Sequence, residues 1–246
     1  MKSRGSLVAA GALVTVLLAA GVWFAPLPYL IQQPGPTVDV LGSEVITVTG
    51  APTSVSAGKL LLTTVEVGDV DAAGALRTWL DDTNALIPRE AVFTDGRSEE
   101  QVIESNQTAF EESENTAITT ALAELGNPAG VVVGVDVKEI GGPSAGLMIT
   151  LGIIDKLTPA DLTGGHLIAG TGVIGPDGAV GPIGGITQKL HGARAAGATF
   201  FLVPADNCAE ARRSPPSGLT TVRVAALDDA LLALRSIAAG AVPAAC

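Results

Sequence analysis

Ser144 and Lys189 are the two residues of this 246-residue chain whose types and surroundings best suit covalent chemistry. Ser144 lies in Gly141-Gly142-Pro143-Ser144-Ala145-Gly146, at the head of a wholly apolar stretch. A serine among small residues at a helix start has an uncrowded hydroxyl and free backbone N–H groups nearby, and a nucleophile needs both. Lys189 falls in a segment, 186–196, that reads as a helix. On a 3.6-residue period Ile186, Lys189, Leu190, Ala193 and Gly197 share one stripe. A lysine there either snorkels to water or is buried for a reason. Burial disfavours the ammonium and draws the pKa down from about 10.4. A base useful near neutral pH needs roughly 7–8. That displacement costs about 4 kcal/mol, which Ile186, Leu190 and the Ser144 helix are placed to impose. A neutral Lys189 amine would then take the Ser144 proton.

Each residue also has a plain structural reading. Ser144 would serve as the N-cap of a buried helix, and Lys189 would be a snorkelling side chain. Gly142-Pro143-Ser144-Ala145-Gly146 fits Gly-x-Ser-x-Gly, a strained nucleophile turn that in α/β-hydrolases requires an acid and then a histidine downstream. The only histidines are His166 and His191, and about a hundred residues follow Ser144, short for that fold. His191 also lies off the Lys189 stripe, so a Ser144–His191 hydrolase or esterase is the less favoured alternative. Ser56-Ala57-Gly58-Lys59 matches Ser-x-x-Lys, but Gly58 suits a helix poorly and no Ser-Asp-Asn or Lys-Thr-Gly accompanies it. Gly170-Thr171-Gly172 is a lone glycine pair, and no Walker A pattern occurs, so nothing points to ATP. Glu99-Glu100 and Glu111-Glu112 read as solvated helix faces.

The elements that must hold these residues alternate in type. Residues 44–49, 59–67, 130–137, 167–169, 200–203 and 219–224 read as strands. Residues 71–82, 98–110, 112–125, 143–154, 186–196 and 228–239 read as helices, with Gly126 as a stop and Pro143 suited to a first turn. The 143–154 helix is apolar all round and therefore buried. Pro176-Asp177-Gly178 marks a hairpin. This order describes one mixed α/β (α+β) domain. Pro26, Pro28, Pro34 and Pro36 read as a helix-hostile extended linker. The divisions are 1–31, a cytoplasmic stub and transmembrane anchor; 32–57, linker and first strand; 58–240, the domain; and 241–246, a tail.

Lys2 and Arg4 are followed by no charge from Gly5 to Val38, and Leu7 to Phe24 is long enough to span a bilayer as a helix. Positive charge on the short N-terminal side places that end in the cytoplasm and the domain outside. The run ends without a small-x-small cleavage site, and Trp23, Phe24 and Tyr29 resemble an interfacial belt, so an uncleaved anchor is expected. The net charge of −11 argues against nucleic acid as a partner. Cys208 and Cys246 are the only cysteines. Outside the cytoplasm they can form one disulfide, with two unpaired thiols as the alternative. They are too few for a zinc site, and no metal or other cofactor is expected.

Together the motifs resemble the proteolytic domain of Lon proteases. They are Gly-Gly-Pro-Ser-Ala-Gly-Leu-Met at 141–148, Thr171-Gly172 after a short strand, and Gly181-Pro182-Ile183-Gly184-Gly185-Ile186-Thr187-Gln188-Lys189-Leu190. The order and the 45-residue separation of Ser144 and Lys189 fit, as do Gly197-Ala198 and Phe201-Leu202-Val203-Pro204. Gly58-Lys59-Leu60-Leu61-Leu62 resembles the domain's first strand. The resemblance covers most of 58–235. It implies a serine endopeptidase with Ser144 as nucleophile, Lys189 as general base and Thr171 orienting the lysine. It also implies protein or peptide substrates and a homo-oligomeric ring, a hexamer. An oxyanion site is expected at the N–H groups around Gly141, Gly142, Pro143 and Ser144. The anchor and the absent ATPase make the chain similar to membrane-anchored, secreted Lon-like proteases. Those often carry a PDZ domain before the serine motif. Here only residues 126–130 separate the preceding helix from the strand, so no PDZ domain fits. Gly141 also departs from the pattern, standing where many Lon domains have an acidic residue. A non-catalytic Lon-like peptide-binding module is the remaining alternative.

Overall fold

The strand Lys59–Asp71 is the axis of the molecule, because both neighbours it acquires carry or border the candidate site. The computed structural model describes residues 3–23, 25–137 and 141–246. In chain order the elements are α1 (Ser3–Trp23), β1 (Pro26–Asp39), β2 (Ile46–Thr49), β3 (Lys59–Asp71), α2 (Ala72–Trp79), β4 (Ala85–Pro88), α3 (Arg89–Val92) and α4 (Glu99–Glu124). There follow β5 (Val132–Val135), α5 (Gly146–Leu157), β6 (Leu167–Gly170), β7 (Val173–Ile174), β8 (Val180–Gly181), α6 (Ile186–Ala195), β9 (Phe200–Pro204), α7 (Cys208–Ala211), β10 (Thr220–Val224) and α8 (Leu227–Ala238).

A six-stranded sheet runs β10-β9-β6-β3-β1-β4. The four strands from β10 to β3 are parallel, and β1 and β4 add antiparallel to the far side of β3. The fold is mixed α/β, as the alternation of elements implies. Period-2 alternation sorts the strand residues between two cores. Leu60, Leu62, Ile168 and Leu202 face α5 and α8, with Leu147, Leu151, Leu231 and Leu234 in the same cluster. Leu61, Ala169, Phe201 and Val203 face α6, meeting Ile186, Leu190 and Ala193. Helices on both faces bury most of the central parallel strands, which is why those strands read as apolar runs.

Several expectations change. The proline-rich segment is not a free linker: Pro26–Asp39 is a strand of the main sheet. Its prolines sit at two breaks in the β1/β3 register, Pro26 to Leu30 and Pro34 to Thr37, where a missing N–H costs no ladder bond. At the second break Thr64 Oγ1 donates to Pro36 O at 2.7 Å and pins the bulge. The folded unit thus extends well before residue 58. Residues 98–125 form one helix rather than two, begun by a capping box between Ser98 and Gln101. The segment 143–154 divides into a 3-10 turn, Pro143–Ala145, and α5, whose residues Gly146 to Asp155 are all buried. β7 and β8 form the hairpin through Pro176-Asp177-Gly178. In the segment 71–82, Leu76, Trp79 and Leu80 are exposed rather than packed on the core. α1 is helical with exposed apolar side chains, and its described side chains are those of residues 5–21 and Trp23. Among the described residues no helix is long and apolar enough to cross a membrane. Lys2 and Phe24, used above for topology and the interfacial belt, lie outside the described residues.

Candidate active site

The site forms where β6 ends and β3 continues. β6 pairs with β3 only as far as Gly170 opposite Leu62, so Thr63 to Glu66 project past its carboxyl end. A crevice beyond the carboxyl ends of parallel strands is the usual place for a site in such sheets. The hydroxyl of Thr63 donates to Gly170 O at 3.3 Å and closes the corner. Thr171 follows immediately, and its N–H donates to Leu202 O on β9.

Three segments meet there. Gly142 has φ +84°, a conformation open to glycine at little cost, and it turns the chain sharply into Pro143. α4 holds this turn twice. Asn106 O accepts from Gly142 N at 2.8 Å, and Ser113 Oγ donates to Pro143 O at 2.8 Å. The strand-end segment holds it from the other side, with Gly172 N donating to Ser144 O at 2.9 Å. Lys189 comes from the opposite face of the sheet, on the first turn of α6. The loop before α6 is fixed by Asn207, whose amide bonds both the N–H and the C=O of Ile183 at 2.9 Å.

Lys189 Nζ lies 2.7 Å from Ser144 Oγ and 2.9 Å from Thr171 Oγ1. Thr171 Oγ1 donates its own proton to Ser144 O at 3.0 Å. Its oxygen can therefore only accept from Lys189. That directs one lysine N–H to Thr171 and leaves the nitrogen lone pair of the neutral amine for the Ser144 hydroxyl proton. Lys189 is 2 % exposed, and burial lowers its pKa from 10.5 to about 8. Desolvation penalises the ammonium, and among the described residues no carboxylate offsets it. At pH 8 about half the lysine is neutral, against a fraction of about 0.003 at the ordinary value, a gain of roughly 150-fold in competent base.

Ser144, Gly141, Ala145 and Lys189 open onto a cavity of about 240 Å³ walled by Pro36, Val38 and Thr63 to Glu66. The walls are the β1 bulge and the part of β3 beyond its pairing with β6. Sequence reasoning missed them, together with Asn106, Ser113 and Asn207. Pro34-Gly35-Pro36 was the available signal, since two prolines around a glycine inside an extended run mark a bulge.

The expected oxyanion donors need revision. The Gly142 N–H is taken by Asn106 O, and Pro143 has no N–H. Ser144 lies in the first turn, where backbone N–H groups generally lack an intrahelical acceptor, which makes its N–H the remaining candidate donor. At Gly141 a Cβ would stand 3.0 Å from Asn106 Cβ, a contact that requires Asn106 to shift by a few tenths of an ångström. His191 does not join Ser144. It lies in the electrostatic environment of Asp81, and its Nε2 has no partner among the described residues. Ser56 bonds Asp155 at 2.6 Å and Lys59 pairs with Asp39, so the Ser-x-x-Lys match is structural. Cys208 and Cys246 are joined as a disulfide that ties the C-terminus to α7. Among the described residues no group of His, Cys, Asp or Glu is arranged to hold a metal.

The family model described as the Lon protease (S16) C-terminal proteolytic domain matches residues 90–234, more than half of the chain. The chain belongs to this family. The Lon match takes in Ser144, Thr171 and Lys189 together with α4, α5 and α6, the elements that position them. Similar curated proteins include Lon protease 1 of Sorangium cellulosum, 41 % identical over 102 residues covering 39 % of this chain. The Lon protease of Clostridium beijerinckii is 37 % identical and Lon protease 1 of Bacillus subtilis 36 % identical, each over 93 residues and 37 % of this chain. The matched part is only 11–12 % of the length of these Lon relatives. Family membership accounts for the serine protease architecture; what the chain acts on is a separate question.

Proposed function

We propose that this chain is an ATP-independent, membrane-anchored serine endopeptidase whose Ser144–Lys189 dyad hydrolyses peptide bonds in extracytoplasmic proteins. The 2.7 Å contact between Lys189 Nζ and Ser144 Oγ carries this reading, because the base is buried, partly neutral and aimed. Lys189 removes the Ser144 proton as Oγ attacks a substrate carbonyl. The Ser144 N–H and the amino end of the following helix stabilise the negative oxygen. The Lys189 ammonium then gives its proton to the leaving amine. Water enters, Lys189 deprotonates it, and the acyl-enzyme is hydrolysed as Oγ recovers its proton. Thr171 keeps the lysine nitrogen directed at Ser144 throughout and is a positioning residue.

Two features support the location. The uncharged run from Gly5 to Val38 includes an apolar segment of spanning length, with Lys2 and Arg4 as its cytoplasmic flank. The Cys208–Cys246 disulfide suits an oxidising compartment. The absence of a Walker A pattern in the sequence supports turnover without nucleotide. A ring assembly, a hexamer by resemblance, is part of the proposal and is checked by sedimentation in detergent.

The test is cleavage of an unfolded protein by the full chain without nucleotide, compared with Ser144→Ala, Lys189→Ala and His191→Ala. Loss in the first two with retention in the third supports the dyad. Proteolysis retained in Lys189→Ala overturns it, and loss in His191→Ala alone favours a Ser–His hydrolase. Peptide binding with no cleavage between pH 6 and 10 by the intact protein replaces the enzyme with a binding module.

A further inference from the structure

We infer that the outward face of α2, formed by Leu76, Trp79 and Leu80, rests in the interfacial layer of a lipid bilayer. The inference depends on the anchored reading above and adds a second membrane contact to it. α2 is amphipathic the wrong way round for a soluble domain. Ala73 and Thr78 face inward, while Leu76, Trp79 and Leu80 are 44 %, 80 % and 78 % exposed. Spaced i, i+3 and i+4, Leu76, Trp79 and the C-cap residue Leu80 make one stripe along the side and end of the helix. A contiguous exposed stripe of this kind, unlike scattered single residues, marks a contact surface.

Its place in the fold says what covers it. α1 ends at Trp23 and the chain enters the sheet at Pro26, a reach of at most about 10 Å. Pro26 pairs with Asp71, and Asp71 is the N-cap of α2, its carboxylate accepting from Gly74 N at 2.7 Å. α1 and α2 are in contact. The amino end of α2 therefore lies beside the end of the apolar helix, where a bilayer surface lies if α1 is embedded. Tryptophan and leucine suit that layer, an indole at headgroup depth and apolar groups just beneath it. A protein partner is less suited. A standard interface uses about 20–30 residues a side, and this stripe offers three large side chains. The chain's charge of −11 gives no attraction to anionic lipid, so apolar burial drives the contact and a zwitterionic surface is enough.

The arrangement sets a height for the active site. From Pro26 at the membrane end of β1 to Pro36 at the cavity wall is about 30 Å along the strand. With α1 and α2 as two footings, β1 stands as a strut. The cleft then lies at most about 30 Å from the membrane end of β1.

The experiment uses the full chain carrying Trp23→Phe, so that Trp79 is the single tryptophan. It is reconstituted in vesicles of phosphatidylcholine, plain or brominated at two acyl depths. Trp79 emission should be blue-shifted and roughly halved by bromines close to the headgroups, with less quenching from deeper ones, matching burial of about 5–10 Å. Water-like emission insensitive to both lipids overturns the inference. Blue-shifted emission that ignores bromine and grows with the protein-to-lipid ratio also overturns it, in favour of a second copy of this chain. Carbonate extraction of the same vesicles reads the anchor by itself. Resistance without Trp79 quenching leaves the anchor and removes this contact, whereas quenching without resistance does the opposite.

Discussion

Replacing Lys189 by methionine should remove activity and make the protein more stable at neutral pH. The side chain is 2 % exposed and its pKa falls from 10.5 to about 8 through burial. That displacement corresponds to about 3 kcal/mol of cost to the folded state wherever the unfolded lysine is charged. Methionine has a similar length and no charge to desolvate. Against the gain stand two hydrogen bonds, to Ser144 Oγ and Thr171 Oγ1. Ser144 Oγ opens onto the cavity and regains water, and Thr171 keeps its donation to Ser144 O, so their loss costs about 1 kcal/mol. The net is about 2 kcal/mol, or roughly 4–8 °C in Tm for a domain of this size. The sign depends on pH. Between about 8 and 10.5 the unfolded state binds more protons than the folded state, so wild-type stability rises with pH there. The advantage of methionine is therefore full below about 8 and is lost as pH rises to 10.5. Thermal unfolding of both full chains by circular dichroism, in one detergent at pH 7 and pH 10, tests this. A Lys189→Met protein less stable than wild type at pH 7, or a difference unchanged at pH 10, would refute the reasoning.

The rate should follow the same group: kcat/KM is expected to rise tenfold per pH unit and level off near 8, and a limb that keeps rising to 10.5 would count against a buried base. Thr171→Ala should lower kcat by roughly 10–100-fold with KM little changed, and Thr171→Ser should restore most of it, since the role is orientation of the lysine rather than binding. A fall in KM-dependent binding with kcat intact, measured on a fluorogenic peptide, would contradict this. The Cys208–Cys246 bridge closes a 38-residue separation, so the Cys208→Ala, Cys246→Ala double variant should lose about 4 kcal/mol of stability in urea unfolding. Equal midpoints for the oxidised and double-variant proteins would show that the tail adds nothing.

Much of the site was legible because its signals are local. Ser144 stood out by its small neighbours and Lys189 by its place on an apolar helical stripe, and neither inference needs knowledge of a distant residue. The expectation for Thr171 came from resemblance alone, and the geometry now supplies a reason, a hydroxyl whose proton is already committed to Ser144 O. What escaped was non-local. Asn106 takes the Gly142 N–H expected to serve an oxyanion, and its Cβ would be in tight contact with any Cβ at Gly141. No periodicity in a polar stretch such as 98–110 announces that it will pack on a turn some 36 residues later.

Sequence alone determined most of the element order in the carboxyl-terminal half, the apolar alternation of the strands, and the two side chains able to act as nucleophile and base. These follow from spacing and from the cost of leaving apolar surface in water. Tertiary structure decided that the proline-rich segment is a strand, because only pairing with β3 gives its extended backbone partners and places its bulge against the cleft. It also decided which face of α2 turns outward. Above all, it brought Ser144 and Lys189 within 2.7 Å from opposite faces of one sheet. The lysine's burial, and hence its usable lone pair, is a property of that meeting and of no segment by itself.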